Sequence, residues 1–150
     1  MKELKLENLS KEILVVTSGY FAPLHRGHIE LFKKAKELGH LTVIINNDEQ
    51  LLKNKKRIFP IEDRIAVIKE LKCVDEVVIS IDKDSSVCKT LEMLKPDIFC
   101  KGGDRTVSNI PEKEICDRLE IKIIDGLGLK VQSSTILYEN LINKPNISVK

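Results

Sequence analysis

At 150 residues the chain has the size of one α/β domain, and its 42% apolar and 32% charged residues suffice for both a packed core and a solvated surface. Twenty-five Lys and Arg against 23 Asp and Glu leave a formal charge of +2, which excludes a strongly basic nucleic-acid coat and an acidic disordered tail. No apolar run approaches the roughly 18 residues needed to span a bilayer. Met1–Ser10 lacks the apolar stretch and cleavage site of a secretory signal, so a cytoplasmic setting without membrane contact is expected.

In chain order, Ile13–Thr17 is a continuous β-branched run, as expected for a strand buried on both faces. A helical pattern follows over 27–38, with Ile29, Phe32, Ala35 and Leu38 on one stripe and Gly39 as its stop. Leu41–Ile45 is the second strand and ends at the polar Asn46-Asn47-Asp48. Residues 49–59 carry Lys53, Lys55, Lys56 and Arg57 with few apolar anchors and read as a mobile basic segment. Pro60 suits the first turn of the next helix, whose buried face is Ile61, Ile65, Ile68 and Leu71. A third strand is expected over Val74–Ser80, a helix over Ser85–Lys95, a fourth strand over Asp97–Cys100 and a helix over Pro111–Leu119. A fifth strand, Ile121–Ile124, runs into Asp125–Gly128, which reads as a turn, and a last helix extends from Ser133 or Ser134 to about Ile142.

Alternating strands and helices imply parallel pairing through right-handed crossovers. The expectation is a single Rossmann-like, doubly wound α/β domain with a five-stranded parallel sheet, its core about residues 12–142 and short tails at either end. Cys73, Cys88, Cys100 and Cys116 form no CxxC pair and sit among apolar neighbours, so they read as reduced thiols acting as small hydrophobes.

In such sheets, ligands bind at the carboxyl ends of the strands, near the point where strand order reverses. The first strand is followed by Gly19-Tyr20-Phe21-Ala22-Pro23-Leu24-His25-Arg26-Gly27-His28. A helix N-terminus offers unpaired N–H groups and partial positive charge, Gly27 allows close backbone approach, and His25 and His28 can stand on one side of that terminus. As imidazole N–H donors or as imidazolium, they could hold a transferring phosphoryl group. Two readings compete with this one: ordinary capping or core histidines, and a metal pair, for which no Cys or carboxylate partner lies nearby.

Gly19, Phe21, His25, Gly27 and His28 match the G-x-F-[D/N]-x-x-H-x-G-H signature, and the segment resembles the cytidylyltransferase-like nucleotidylyltransferases. Ala22 stands where that signature has Asp or Asn. Near the C-terminus, Gln132-Ser133-Ser134-Thr135 resembles the second family signature, a hydroxyl-rich helix start suited to β- and γ-phosphates. Leu137 and Tyr138 follow it where many members have a basic residue. Lys101-Gly102-Gly103-Asp104 is similar to the run that ends the fourth strand of heptose-1-phosphate adenylyltransferases. Lys36 matches a basic position of glycerol-3-phosphate cytidylyltransferases. Glu62-Asp63-Arg64 resembles the E-x-R of the family, although an exposed charged helix face explains Arg64 equally well.

The resemblance implies transfer of CMP or AMP from CTP or ATP to a small phosphorylated acceptor, with release of pyrophosphate. It implies His25, His28 and Lys36 as catalytic groups. Gly19, Tyr20, Phe21, Gly27, Lys101, Gly102, Asp104 and Gln132–Thr135 would hold the nucleotide, and Asn47, Asp48 and Arg64 would contact phosphate or acceptor. Mg²⁺ is expected with the triphosphate, on phosphate oxygens and water and without a protein cage. A homodimer is implied, and an aromatic content of 4% argues against a nucleic-acid stacking platform. The rival readings are an FAD synthetase with FMN as acceptor and a nucleotide-binding module without catalysis.

Overall fold

The computed structural model describes residues 12–53, 59–102 and 110–127. Its elements, in order, are β1 (Leu14–Gly19), α1 (Arg26–Lys36), β2 (His40–Ile45), α2 (Asp48–Lys53), α3 (Ile61–Ile68), β3 (Glu76–Ile79), α4 (Cys88–Leu94), β4 (Ile98–Gly102), α5 (Lys113–Arg118) and β5 (Lys122–Leu127). The five strands pair in parallel in the order β3-β2-β1-β4-β5, which bears out the expected Rossmann-like sheet.

Successive side chains of a strand point to opposite faces, and β1 and β2 divide accordingly. Val15, Leu41, Val43 and Ile45 pack with Phe32 and Ala35 of α1 and Ile68 of α3. Val16 and Ile44 pack on the other face with Leu91 of α4 and Cys116 of α5. Full burial of side chains such as Phe32 and Phe99 stabilises the fold by about 1.5–3 kcal/mol each. Thr17, wholly buried in mid-strand, donates its hydroxyl to Cys100 O at 2.9 Å. At Gly39 a Cβ would lie 2.2 Å from Ile13 O, so glycine is required there by close backbone approach.

None of the four cysteines forms a disulfide. Burial pushes the Cys100 thiol up to about 12 and that of Cys116 to about 11, which keeps both protonated and inert at neutral pH.

Three expectations need correction. The first part of the supposed mobile basic segment is α2, anchored by Leu51 and by the fully buried Gln50. Asp125–Leu127 is not a turn. Cys100 pairs with Ile124 and Gly102 with Leu127, so β5 carries one extra residue, a bulge that Gly126 accommodates at φ 69°. Finally, α4 begins at Cys88 and not at Ser85, because Asp82 reaches over the intervening loop to accept the N–H groups of Lys89 and Thr90 at 2.7 and 3.0 Å. The basic residues at 55–57, the hydroxyl-rich run at 132–135 and the expected last helix lie outside the described residues.

Candidate active site

The order of strands reverses between β1 and β4, so the carboxyl ends of these two strands define the switch point. After β1 the chain turns sharply. Phe21 takes φ 54°, a left-handed conformation that is costly for a residue with a side chain. Its ring folds back over Gly19, where a Cβ would approach to 2.8 Å, and meets His28 edge-on at 5.0 Å and Phe32 at 5.3 Å. The ring thus braces the start of α1 from behind.

Both histidines cap that helix. His25 is the N-cap, and its Nδ1 accepts the Gly27 N–H at 3.2 Å. His28, three residues on, returns the bond: its Nδ1 accepts the His25 N–H at 3.1 Å. This is a reciprocal capping box built from two imidazoles, and it explains the three-residue spacing. The rings stack with centroids 3.9 Å apart. An Nδ1 that accepts cannot carry the proton, so each neutral ring holds its hydrogen on Nε2. Desolvation on partial burial lowers the pKa of His25 below its ordinary 6.5, which favours the same neutral form.

The carboxyl end of β2 is built on the same plan. Asn47 Oδ1 accepts the Gln50 N–H and Gln50 Oε1 accepts the Asn47 N–H, each at 2.9 Å, which caps α2. Asn47 Nδ2 also donates to Ser80 O at 3.0 Å and Asp82 O at 2.8 Å, and Gln50 Nε2 donates to Ser86 O at 2.9 Å. This network ties α2 to the segment that follows β3. Sequence reading missed Gln50, although Asn47-x-x-Gln50 before Leu51 carries the capping-box signature.

Arg64, expected to meet phosphate or to lie on an exposed face, is 2% exposed. Its Nε donates to Phe59 O at 2.8 Å, Nη1 to Tyr20 O at 3.0 Å and Asn46 O at 2.6 Å, and Nη2 to Asp48 Oδ1 at 2.7 Å. The guanidinium therefore clamps the residues just beyond β1 and β2, and Asp48 is its ion-pair partner. The exposed-face reading fails because α3 turns this position inward, beside Ile68. Lys36 is not brought to the histidines. It lies ten residues along α1 from Arg26, about 15 Å at 1.5 Å per residue. There its Nζ bonds Asp75 Oδ2 at 2.6 Å, and that bond raises the lysine pKa.

A cleft of about 380 Å³ lies at the switch point. Ser18, Gly19 and Tyr20 form its β1 wall, Lys101 enters from β4, and Val87 and Glu112 close it. The Lys101 ammonium stands 5.3 Å from the centre of the Phe99 ring. Burial raises the Tyr20 phenol pKa, an effect that the nearby Arg64 charge opposes. Glu112 was not singled out from sequence, because an acid after Pro111 at a helix start has an ordinary explanation. Gly102 ends β4 within reach of Leu31, and Asp104 lies outside the described residues. Among the described residues, no three His, Cys, Asp or Glu side chains cluster to hold a metal ion, and no helix is long and apolar enough to cross a membrane.

A parallel sheet with a cleft at its switch point and a helix N-terminus beside it defines the nucleotide-binding α/β class. The cytidylyltransferase-like profile matches residues 16–149, and the chain belongs to that family of nucleotidyltransferases, as the Gly19–His28 signature implies. It is 38% identical over 132 residues to an FAD synthase of Pyrococcus abyssi, covering 86% of this chain and 83% of that one. It is 31% identical over 150 residues to the bifunctional protein HldE of Syntrophotalea carbinolica, of which it spans 29%. Among solved structures it resembles the lipopolysaccharide core biosynthesis protein of Thermoplasma volcanium. That match has a TM-score of 0.67 at 32% identity and covers 79% of this chain and 98% of that one.

Proposed function

We propose that the chain is an adenylyltransferase, which joins AMP from ATP to a small phosphorylated acceptor and releases pyrophosphate. The observation that carries this reading is the imidazole capping box, which gives both histidine rings an Nε2–H donor at a helix N-terminus beside the switch point. A phosphate oxygen of the acceptor attacks the α-phosphorus of ATP, the bond from that phosphorus to the bridging β-oxygen breaks, and pyrophosphate departs. The Nε2–H groups of His25 and His28 stabilise the charge that gathers on the α-phosphoryl oxygens. Backbone N–H groups around Gly27 add to that field. Ser133, Ser134 and Thr135 are assigned to the triphosphate tail and Asp104 to the nucleoside, on the family signatures alone. Mg²⁺ would arrive on the triphosphate, held by its oxygens and by water.

Adenine is favoured over cytosine because the FAD synthases, which match this chain over more than four fifths of their length, build a product that contains AMP. The Lys101–Asp104 run resembles adenylyltransferases as well. For the acceptor, that run and the lipopolysaccharide-related structural neighbour favour a sugar phosphate. The FAD synthase relatives support FMN as the second reading. The chain is further proposed to act as a homodimer, to be checked by sedimentation against its 17.0 kDa chain mass.

The test is product analysis by mass spectrometry after incubation with Mg²⁺, ATP or CTP, and either FMN or a panel of sugar 1-phosphates and glycerol 3-phosphate. An ADP-linked sugar or FAD supports adenylyl transfer and names the acceptor. A CDP-linked product, with ATP inert, overturns the choice of nucleotide.

A further inference from the structure

Glu112 is 4% exposed, yet it forms part of the wall of the switch-point cleft. Its Oε2 accepts the Val87 N–H at 3.0 Å. Among the described residues, Oε1 has no hydrogen-bond or ion-pair partner. A buried carboxylate oxygen can only accept, and leaving it unsatisfied is costly. The Val87 bond therefore accounts for half of this side chain and leaves the other half without a role in the fold.

The cleft itself narrows the choice of donor. The Glu112 carboxylate repels a triphosphate, so the phosphates belong at the end of the ligand away from it, on the side of Lys101 and of the N-terminus of α1. Gly19, Val87 and Pro111 give the cleft an apolar stretch of wall that suits the face of a flat ring, while Ser18, Asn46, Ser85 and Lys101 make the rest of its lining polar. The ring end of ATP carries a group that only donates: the exocyclic amine, which a carboxylate recognises in the manner of Glu on cytosine N4. We propose that Glu112 Oε1 reads the exocyclic amine of the nucleotide base and so determines which triphosphate is used. This assignment rests on the adenylyltransferase reading above.

Calorimetry with Mg²⁺ and a set of triphosphates tests it. ITP replaces the adenine amine with a carbonyl, and N6,N6-dimethyl-ATP removes its hydrogens. Wild-type protein is expected to bind ATP about ten- to a hundred-fold more tightly than either. Glu112→Gln keeps an oxygen for the Val87 N–H and turns an amide N–H₂ to the cleft, so its preference for ATP over ITP should vanish or reverse. Equal binding of ATP, ITP and the dimethyl analogue by wild type overturns the assignment without any variant. So does an unchanged ATP preference in a Glu112→Gln protein that melts within a few degrees of wild type. Preference for CTP over UTP, with ATP unbound, removes the adenylyl reading and leaves the amine contact standing. Failure of every triphosphate to bind removes both.

Discussion

The two histidines after β1 use their Nδ1 atoms to hold the helix on which they stand, and this commits Nε2 as the donor of each neutral ring. Capping and phosphate binding, rivals when only the spacing is known, are compatible once the geometry is seen. Nitrogen-detected NMR should find His25 as the neutral Nε2–H tautomer at pH 7, with a titration midpoint below 6.5. The sign for stability follows from linkage. A pKa lowered by folding means that the native state binds the proton less well, so the contribution of His25 is complete above about 6.5 and is lost as pH falls through the lower native value. A midpoint above 6.5 would contradict this. The cap and the chemistry can also be separated. His25→Asn keeps a good N-cap and should retain stability within a few tenths of a kcal/mol, while kcat falls by about a hundred-fold or more. His25→Ala should lose a similar factor in kcat and in addition about 1 kcal/mol in urea denaturation.

At the scale of elements, the ends of β1 and β2 are joined by Arg64 and by the Asn46 N–H, which donates to Gly19 O at 2.9 Å, while the Asn47–Gln50 pair ties α2 to the segment after β3. Arg64→Met should cost about 3 kcal/mol, because it strips donors from three backbone carbonyls and from Asp48 at once. Arg64→Lys should recover only part, since an ammonium does not span the same fork. Equilibrium denaturation of both variants checks this, and a near-neutral Arg64→Met would show that the guanidinium does not hold these strand ends. These elements also show what a linear reading recovers. The apolar runs of β1 and β2 and the stripe of α1 announced themselves by period and by turn residues. Arg64 did not, because whether one charged position of a short helix faces in or out depends on carbonyls that only the folded sheet brings near. The bulge at Gly126 was hidden for a similar reason: Asp-Gly signals a turn until the pairing of β5 with β4 carries the strand past it.

For the whole molecule, strand order does most to place function. The β3-β2-β1-β4-β5 arrangement brings together segments far apart in sequence, Gly19–Tyr20, Lys101 and Glu112, around one cleft. The first two were recognisable from glycine-rich strand ends and family resemblance. Glu112 was not, because its burial and its contact with Val87 arise from the packing of α5 against α4. Lys36 is the opposite case, a residue close to the motif in sequence that the length of α1 carries away from it, to Asp75. The histidine pair is proposed to drive nucleotidyl transfer at this end of the sheet, and the decisive measurement is pyrophosphate release with ATP and the acceptor panel, in wild type and in His28→Ala. Wild type should release pyrophosphate with at least one acceptor, and the variant should lose about a hundred-fold or more of that rate. Equal release by both proteins would contradict it.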